Sequence, residues 1–344
     1  MKVIVDDKIP YIQGQIEKLA DEVVYLPGAR IGAADVKDAD ALIVRTRTHC
    51  NRELLEGSRV KFIATATIGF DHLDTRYLDE AGIRWTNCPG CNATSVAQYV
   101  HSCLLLLECE HGMSLKDCTL GIVGVGNVGS AVLEKCGPLV GRVLQNDPPR
   151  QEREGEKTDL PWSSLQELAA ECDIITIHTP LVTDGSHPSF HLFNRELMQY
   201  LTRKPVLINC GRGEVVDNAA LEEALDEGWV RQAIIDTWEN EPHIRLSLLE
   251  KVFIGTPHVA GYSADGKANA TRMSLQALAE WMGRTVEFDV RPPALPDGTV
   301  TAETDPDIAL QLYDPRRDSQ LLKRSPGDFE RQRGHYPLRR EKVM

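Results

Sequence analysis

The stretch Thr119-Leu-Gly-Ile-Val-Gly-Val-Gly-Asn-Val-Gly129 constrains this chain more than any other. An apolar run ends in three glycines, Gly124, Gly126 and Gly129, and a helical pattern follows, so the order reads as strand, tight turn, helix. Each glycine has a physical task in such a turn. The first allows a sharp bend, the second lets a pyrophosphate approach bare backbone, and the third lets the helix pack closely on its strand. Free N–H groups at the helix start, where Asn127 and Val128 lie, hold phosphate oxygens. About twenty residues on, Val143-Leu-Gln-Asn-Asp147 is a second apolar run ending in an acid. Asp147 is placed to accept from a ribose 2′-hydroxyl, which favours NAD over NADP, while Arg150 nearby leaves NADP open.

The rest of the chain repeats this alternation. Val3-Ile4-Val5, Ala41 to Val44, Val60 to Ala64 and Ile83 to Thr86 read as buried strands, with helical patterns at Ile12, Ile16 and Leu19 and again at Tyr77 to Ala81. Beyond Asp147 come strands at Ile174 to Ile177, Val206 to Ile208, Ala233 to Ile235 and Val252 to Ile254, separated by helical stretches. Strands alternating with helices imply parallel crossovers and helices on both sheet faces. Two longer helical stretches, 93–113 and 264–282, separate the two runs of alternation. The expected architecture is α/β: two Rossmann-like doubly wound parallel-sheet domains joined by two long helices with a cleft between, plus a short C-terminal arm or partial dimerisation domain. Residues 1–95, completed by 264–285, form the substrate-binding domain in this reading. Residues 96–263 form the NAD-binding domain, and 286–344 a proline-rich linker and C-terminal dimerisation segment.

Composition narrows the function classes. A net charge of −13 disfavours nucleic acid and anionic membrane surfaces as partners, so an anionic substrate must meet locally placed arginines. The N-terminus lacks a leader pattern and no apolar run is long enough to span a bilayer, from which a cytoplasmic protein is expected. Nine cysteines scattered through strand and helix patterns read mostly as buried thiols. Cys88-Pro-Gly-Cys91 raises a redox reading, but no second pair completes a zinc site, and no metal is expected.

Ligands of a doubly wound sheet bind beyond the C-terminal strand ends. Those ends carry His178-Thr179-Pro180, Asn209-Cys210-Gly211-Arg212, Asp236-Thr237-Trp238 and Thr256-Pro257-His258 here. Taken singly, each has an ordinary reading as a turn or a structural residue. Beside a nicotinamide site, Arg212, Glu241 and His258 fit one reaction. Alcohol oxidation needs a base for the hydroxyl proton, and imidazole suits that near neutral pH. A carboxylate on the other ring nitrogen would fix the tautomer, and a planar guanidinium can bind a substrate carboxylate and polarise the C2 oxygen.

These residues carry a resemblance. From Val3 to about Met282 the chain resembles the D-isomer-specific 2-hydroxyacid dehydrogenases, on Gly124-x-Gly126-x-x-Gly129, Cys210-Gly-Arg-Gly-Glu-Val-Val-Asp217, Asp236-Thr-Trp-Glu-Asn-Glu-Pro242 and Thr256-Pro-His-Val-Ala-Gly261. The resemblance implies that Arg212, Glu241 and His258 are catalytic. It further implies that Gly124, Gly126, Asn127, Val128, Gly129, Asp147, Thr179, Cys210, Gly211, Asp236 and Gly261 bind NAD. Additional stretches resemble one branch of the family that acts on a small phosphorylated hydroxy acid: Val44-Arg-Thr-Arg-Thr48, Thr65-Ala-Thr-Ile-Gly-Phe-Asp-His72, Asn87-Cys-Pro-Gly-Cys-Asn-Ala93, His258-Val-Ala-Gly-Tyr262, Tyr313-Asp-Pro-Arg-Arg-Asp318 and His335-Tyr-Pro-Leu-Arg-Arg-Glu341. By that likeness Thr46, Thr67 and Tyr262 contact substrate and the enzyme is a homodimer. The branch's tail continues past the Arg-Arg-Glu stretch, so an incomplete dimer segment is expected at Met344. Arg45 is added on physical grounds, because a phosphate needs a fixed donor fork, against the alternative of a surface ion pair. Three readings compete: a 3-phosphoglycerate dehydrogenase, a nicotinamide reductase without hydroxyacid preference, and a non-enzymatic NADH-sensing protein.

Overall fold

The computed structural model describes residues 1–155 and 161–342. The chain divides into two compact units, one made of Met1–Asn92 with Ser263–Ala294, the other of Ala93–Tyr262 with the chain from Leu295 onward. Each contains its own parallel sheet and its own core.

In the first unit the strands are β1 (Lys2–Asp6), β2 (Glu22–Leu26), β3 (Ala41–Val44), β4 (Phe62–Thr65) and β5 (Arg84–Thr86), in spatial order β2-β1-β3-β4-β5 and all parallel. β1, β3 and β4 are buried on both faces, which is why they read as unbroken apolar runs. The helical pattern expected through Ile12, Ile16 and Leu19 is only a 3-10 turn, Ile16–Lys18, and the next strand, β2, was not signalled. Pro10 and Gly14, the latter at φ +78°, interrupt the early pattern, and β2 is an edge strand whose side chains are only half buried. The Ala264–Trp281 helix lays Leu275, Leu278 and Ala268 on the same core as Val3, Val5 and Phe62.

In the second unit β6 (Thr119–Val123), β7 (Arg142–Asn146), β8 (Ile174–Ile177), β9 (Val206–Asn209), β10 (Gln232–Ile235) and β11 (Ile254–Gly255) form a six-stranded parallel sheet of order β11-β10-β9-β8-β6-β7. From β6 the chain goes first to β7 at one edge and then returns to β8 on the opposite side, so strand order reverses between β6 and β8. That is the crevice where doubly wound sheets bind ligands. The Ala93–His111 helix contributes Val100, Cys103, Leu104 and Leu107 to a core shared with Leu120, Ile122 and Ile208.

The arginine-rich tail is folded onto this second unit. It forms helices Asp305–Leu312, Pro315–Arg324 and Phe329–Gly334, and buries Tyr313, Leu322 and Phe329. Arg339 and Arg340 are buried as well; the Arg339 guanidinium donates to the carbonyls of Ser95, Val259 and Ala260 and to Gln98 Oε1, and stacks 3.6 Å from the Tyr313 ring centroid. Its positive charge is thus spread over carbonyl oxygens and an aromatic face. No helix among the described residues is long and apolar enough to cross a membrane.

Candidate active site

The glycine turn after β6 is built by collisions that only glycine avoids. Gly124 has φ +83°, and a Cβ there would lie 2.8 Å from the Thr179 amide nitrogen. A Cβ on Gly129 would strike the Gly124 carbonyl oxygen, whereas one on Gly126 would meet nothing. Gly124 and Gly129 therefore shape the turn, and Gly126 leaves space above it, as close approach of a pyrophosphate requires. The Asn127–Cys136 helix starts there without a side-chain cap, leaving its first N–H groups for an anion. Asp147 closes the turn from β7: Oδ2 accepts from the Val125 amide and Oδ1 from the Arg150 amide, while Arg150 donates to the Val125 carbonyl.

The opposite wall comes from the ends of β8 and β9. Gly211 sits so close to Thr179 that a Cβ would lie 2.7 Å from its carbonyl oxygen. Thr179 Oγ1, Thr237 Oγ1 and His178 Nδ1 are buried and have no hydrogen-bond partner among the described residues. Burial pushes the His178 imidazole down to about 3, so it is neutral. Unsatisfied polar atoms at the ends of β8 and β10, with His178 and Thr179 packed directly against Gly124 of the turn, suit a dinucleotide that supplies the missing partners.

Arg212, Glu241 and His258 follow β9, β10 and β11, three neighbouring strands. Glu241 and His258 meet directly: Nδ1 of the imidazole is 2.8 Å from Oε2 of the carboxylate, whose Oε1 accepts from the Trp238 amide at 2.9 Å. Burial raises the Glu241 pKa, but the His258 hydrogen bond and charge and the Trp238 amide outweigh it, and the carboxyl lies below its ordinary range. With Nδ1 committed to a carboxylate, Nε2 is the ring nitrogen available for a substrate proton. His258 holds this position at φ +56°, an uncommon backbone for a residue with a Cβ, of the kind stored at functional sites.

Asp236 keeps that backbone in place. Its carboxylate, 1 % exposed, accepts from the Thr256 hydroxyl and from the amides of Val259 and Ala260, and its carbonyl accepts from the His258 amide. Burial raises its pKa against those bonds. Asp236, assigned to the cofactor from the sequence, thus also builds the loop that presents His258, and Gly261 follows immediately on that loop. Arg212 has its own brace: buried Asn209 donates to the Arg212 and Thr237 carbonyls and accepts from the Gly211 amide. Gly213, beside it, packs against the Trp238 carbonyl so tightly that any Cβ would collide. Asn209 and Thr256 stand among the polar strand ends and Gly213 in the Cys210-to-Asp217 stretch, but the sequence assigned none of the three a task, and their bracing shows only in the fold.

In the first unit, Arg45, Thr46 and Thr67 follow β3 and β4. Thr46 is exposed, and the Thr67 hydroxyl donates to the Gly69 carbonyl and lies 2.7 Å from that of Thr65. Arg45 donates from Nε and Nη2 to the two oxygens of Asp6, at 3.2 and 3.3 Å, and Asp6 is fully buried. Its fork already holds a carboxylate. Tyr262, in the second unit, packs edge-on against Tyr336 of the tail with ring centroids 5.7 Å apart.

The cysteines are all free. The single S–H of Cys88 lies within reach of the Thr65 and Ala270 carbonyls, burial pushes its thiol up, and burial pushes Cys91 up to about 12. Neither has the thiolate character of a redox centre.

Comparison with known proteins agrees with this geometry. Residues 106–260 match the NAD binding domain of the D-isomer specific 2-hydroxyacid dehydrogenases. The erythronate-4-phosphate dehydrogenase of Bacteroides fragilis is 55 % identical over 341 residues, covering 99 % of this chain and 97 % of the relative, and that of Edwardsiella ictaluri is 44 % identical, covering 99 % and 93 %. Among solved structures, D-lactate dehydrogenase from Aquifex aeolicus, complexed with NAD and lactic acid, superposes with a TM-score of 0.64 at 26 % identity over 82 % of this chain and 96 % of that one. The chain is an NAD-dependent dehydrogenase acting on a CH–OH group, and it belongs to the erythronate-4-phosphate dehydrogenases, within the D-isomer-specific 2-hydroxyacid dehydrogenase family.

Proposed function

We propose that this enzyme oxidises the C2 hydroxyl of 4-phospho-D-erythronate to 2-oxo-3-hydroxy-4-phosphobutanoate in the synthesis of pyridoxal phosphate. The observation that carries the reading is the His258–Glu241 pair on the sheet that bears the dinucleotide turn, joined to relatives named for this substrate across almost the whole chain. Arg212 binds the substrate carboxylate and draws electron density from the C2 oxygen. His258 takes the hydroxyl proton at Nε2, and Glu241 stabilises the imidazolium that results. NAD, when bound on the glycine turn, would supply the acceptor for the hydride that leaves C2. Gly124, Gly126 and Gly129 cradle the pyrophosphate with the amides of Asn127 and Val128, and Asp147 receives the ribose hydroxyl. Thr179, Cys210, Gly211, Asp236 and Gly261 line the cofactor's other side, while Thr46, Thr67 and Tyr262 contact the substrate.

Nine free thiols accord with a reducing compartment, and we place the enzyme in the cytoplasm. We also assign it a homodimer, on the likeness of its tail to that of the branch, to be checked by sedimentation. The deciding experiment is a steady-state comparison of 4-phosphoerythronate with 3-phosphoglycerate, followed by NADH absorbance. A higher kcat/KM for the first is expected. Preference for the second moves the assignment to a 3-phosphoglycerate dehydrogenase, and turnover of neither, with tight NADH binding, to a sensor.

A further inference from the structure

The substrate of the proposed reaction has two anionic ends, a carboxylate beside the reacting C2 and a phosphate on C4, two carbons further along. Arg212 accounts for the first. The second needs a cation on the same side of the site, and Arg45 already pairs through Nε and Nη2 with the carboxylate of buried Asp6.

Arg333 answers the description. It lies on the Phe329–Gly334 helix of the tail, its guanidinium carbon 5.8 Å from the Tyr262 ring centroid and 6.0 Å from that of Phe329. Tyr262 stands four residues after His258, on the loop that Asp236 organises. Two aromatic faces therefore hold the guanidinium plane next to the catalytic loop. Nη1 reaches Glu330 at 3.0 Å, whereas Nε is buried with no hydrogen-bond partner among the described residues. The side chain is 23 % exposed, so most of its charge sits where water is scarce. A guanidinium held in that way costs stability unless an acceptor completes it, and its fork matches phosphate oxygens better than an ammonium would. Its charge is felt at Glu241, where it adds to the forces that keep that carboxyl ionised.

We propose that Arg333, delivered by the C-terminal tail, is the residue that recognises the substrate's phosphate, and that the tail is thereby part of the specificity site. The role rests on the proposed reaction for its substrate, but not for its test. Arg333→Gln and Arg333→Lys are compared with the native enzyme, after melting curves and NADH fluorescence show each variant folded and coenzyme-bound. The ratio of kcat/KM for 4-phosphoerythronate over D-erythronate should fall about 10- to 100-fold in the Gln variant, the span of a lost charge-assisted bond, and less in the Lys variant. In parallel, inorganic phosphate is titrated calorimetrically into the NADH complexes, and the Gln variant should bind it at least about tenfold more weakly. An unchanged ratio with both substrates impaired would make Arg333 a clamp on Tyr262 only, and an unchanged phosphate affinity would overturn the proposal. If the native enzyme turns over neither substrate, the reaction is wrong, and the phosphate titration still judges Arg333.

Discussion

His258 and Glu241, seventeen residues apart in the chain, are joined through one ring nitrogen and one carboxylate oxygen 2.8 Å apart, while the other oxygen of Glu241 is fixed by the Trp238 amide. The imidazole is thereby oriented and its free nitrogen chosen before any substrate arrives. Replacing His258 by Asn keeps a polar side chain of similar reach but removes the base. His258→Asn is expected to lose ~10²–10⁴ in kcat, the scale of general acid–base help, while titrating NADH as the native protein does. Native-like turnover would remove His258 from the reaction.

The same pair predicts a pH dependence of stability. Because the folded-state pKa of Glu241 lies below its ordinary 4.5, the unfolded chain binds the proton more readily. The stabilisation from the ionised carboxylate is fully present above about pH 4.5 and is lost as the pH falls through the depressed folded value. Melting curves of the native protein and Glu241→Gln should be separated at neutral pH and converge on acidification. A gap that stays constant down to pH 3 would show that the stabilisation does not come from the charge.

Gly126 and Gly129, on the same turn, should respond in opposite ways to one added methyl group. Gly129→Ala drives a Cβ into the Gly124 carbonyl and should destabilise the fold by about 1–3 kcal/mol. Gly126→Ala meets nothing in the protein, so its melting temperature should hold while NADH binding weakens. Equal NADH affinity in Gly126→Ala would show that the coenzyme does not approach this turn closely.

Asp147 accepts from the Val125 and Arg150 amides beside the glycine turn, and in the proposed function it is the acceptor for the coenzyme ribose. Asp147→Ser removes the charge that repels a 2′-phosphate and leaves the arginine to receive it. The ratio of kcat/KM with NAD to that with NADP should fall by about 10- to 100-fold, as expected for one charge-assisted hydrogen bond. An unchanged ratio would place the ribose elsewhere.

Much of this was legible in the chain. Apolar runs buried on both faces announced β1, β3, β4, β6, β8 and β9, because a parallel sheet covered by helices admits no polar alternation. β2 escaped because an edge strand has half-buried side chains and no such run, and the helices of the tail escaped because their surfaces are mostly arginine and acid. Arg45 was placed by charge type alone, and only the structure shows its fork on Asp6. The pairing of His258 with Glu241 followed from chemical need and motif, while the bracing by Asp236, Asn209 and Gly213 followed from neither.

By itself the sequence determined the buried strands, the glycine turn and the residue types that can move a proton beside a nicotinamide, because these depend on local periodicity and on chemistry carried within a few residues. Tertiary structure alone decided which nitrogen of His258 is free, which arginine pairs with a buried carboxylate and where the tail lays Arg333, because each depends on a partner from another element, between 17 and 71 residues away, whose hydrogen bonds and burial exist only once the sheets are formed.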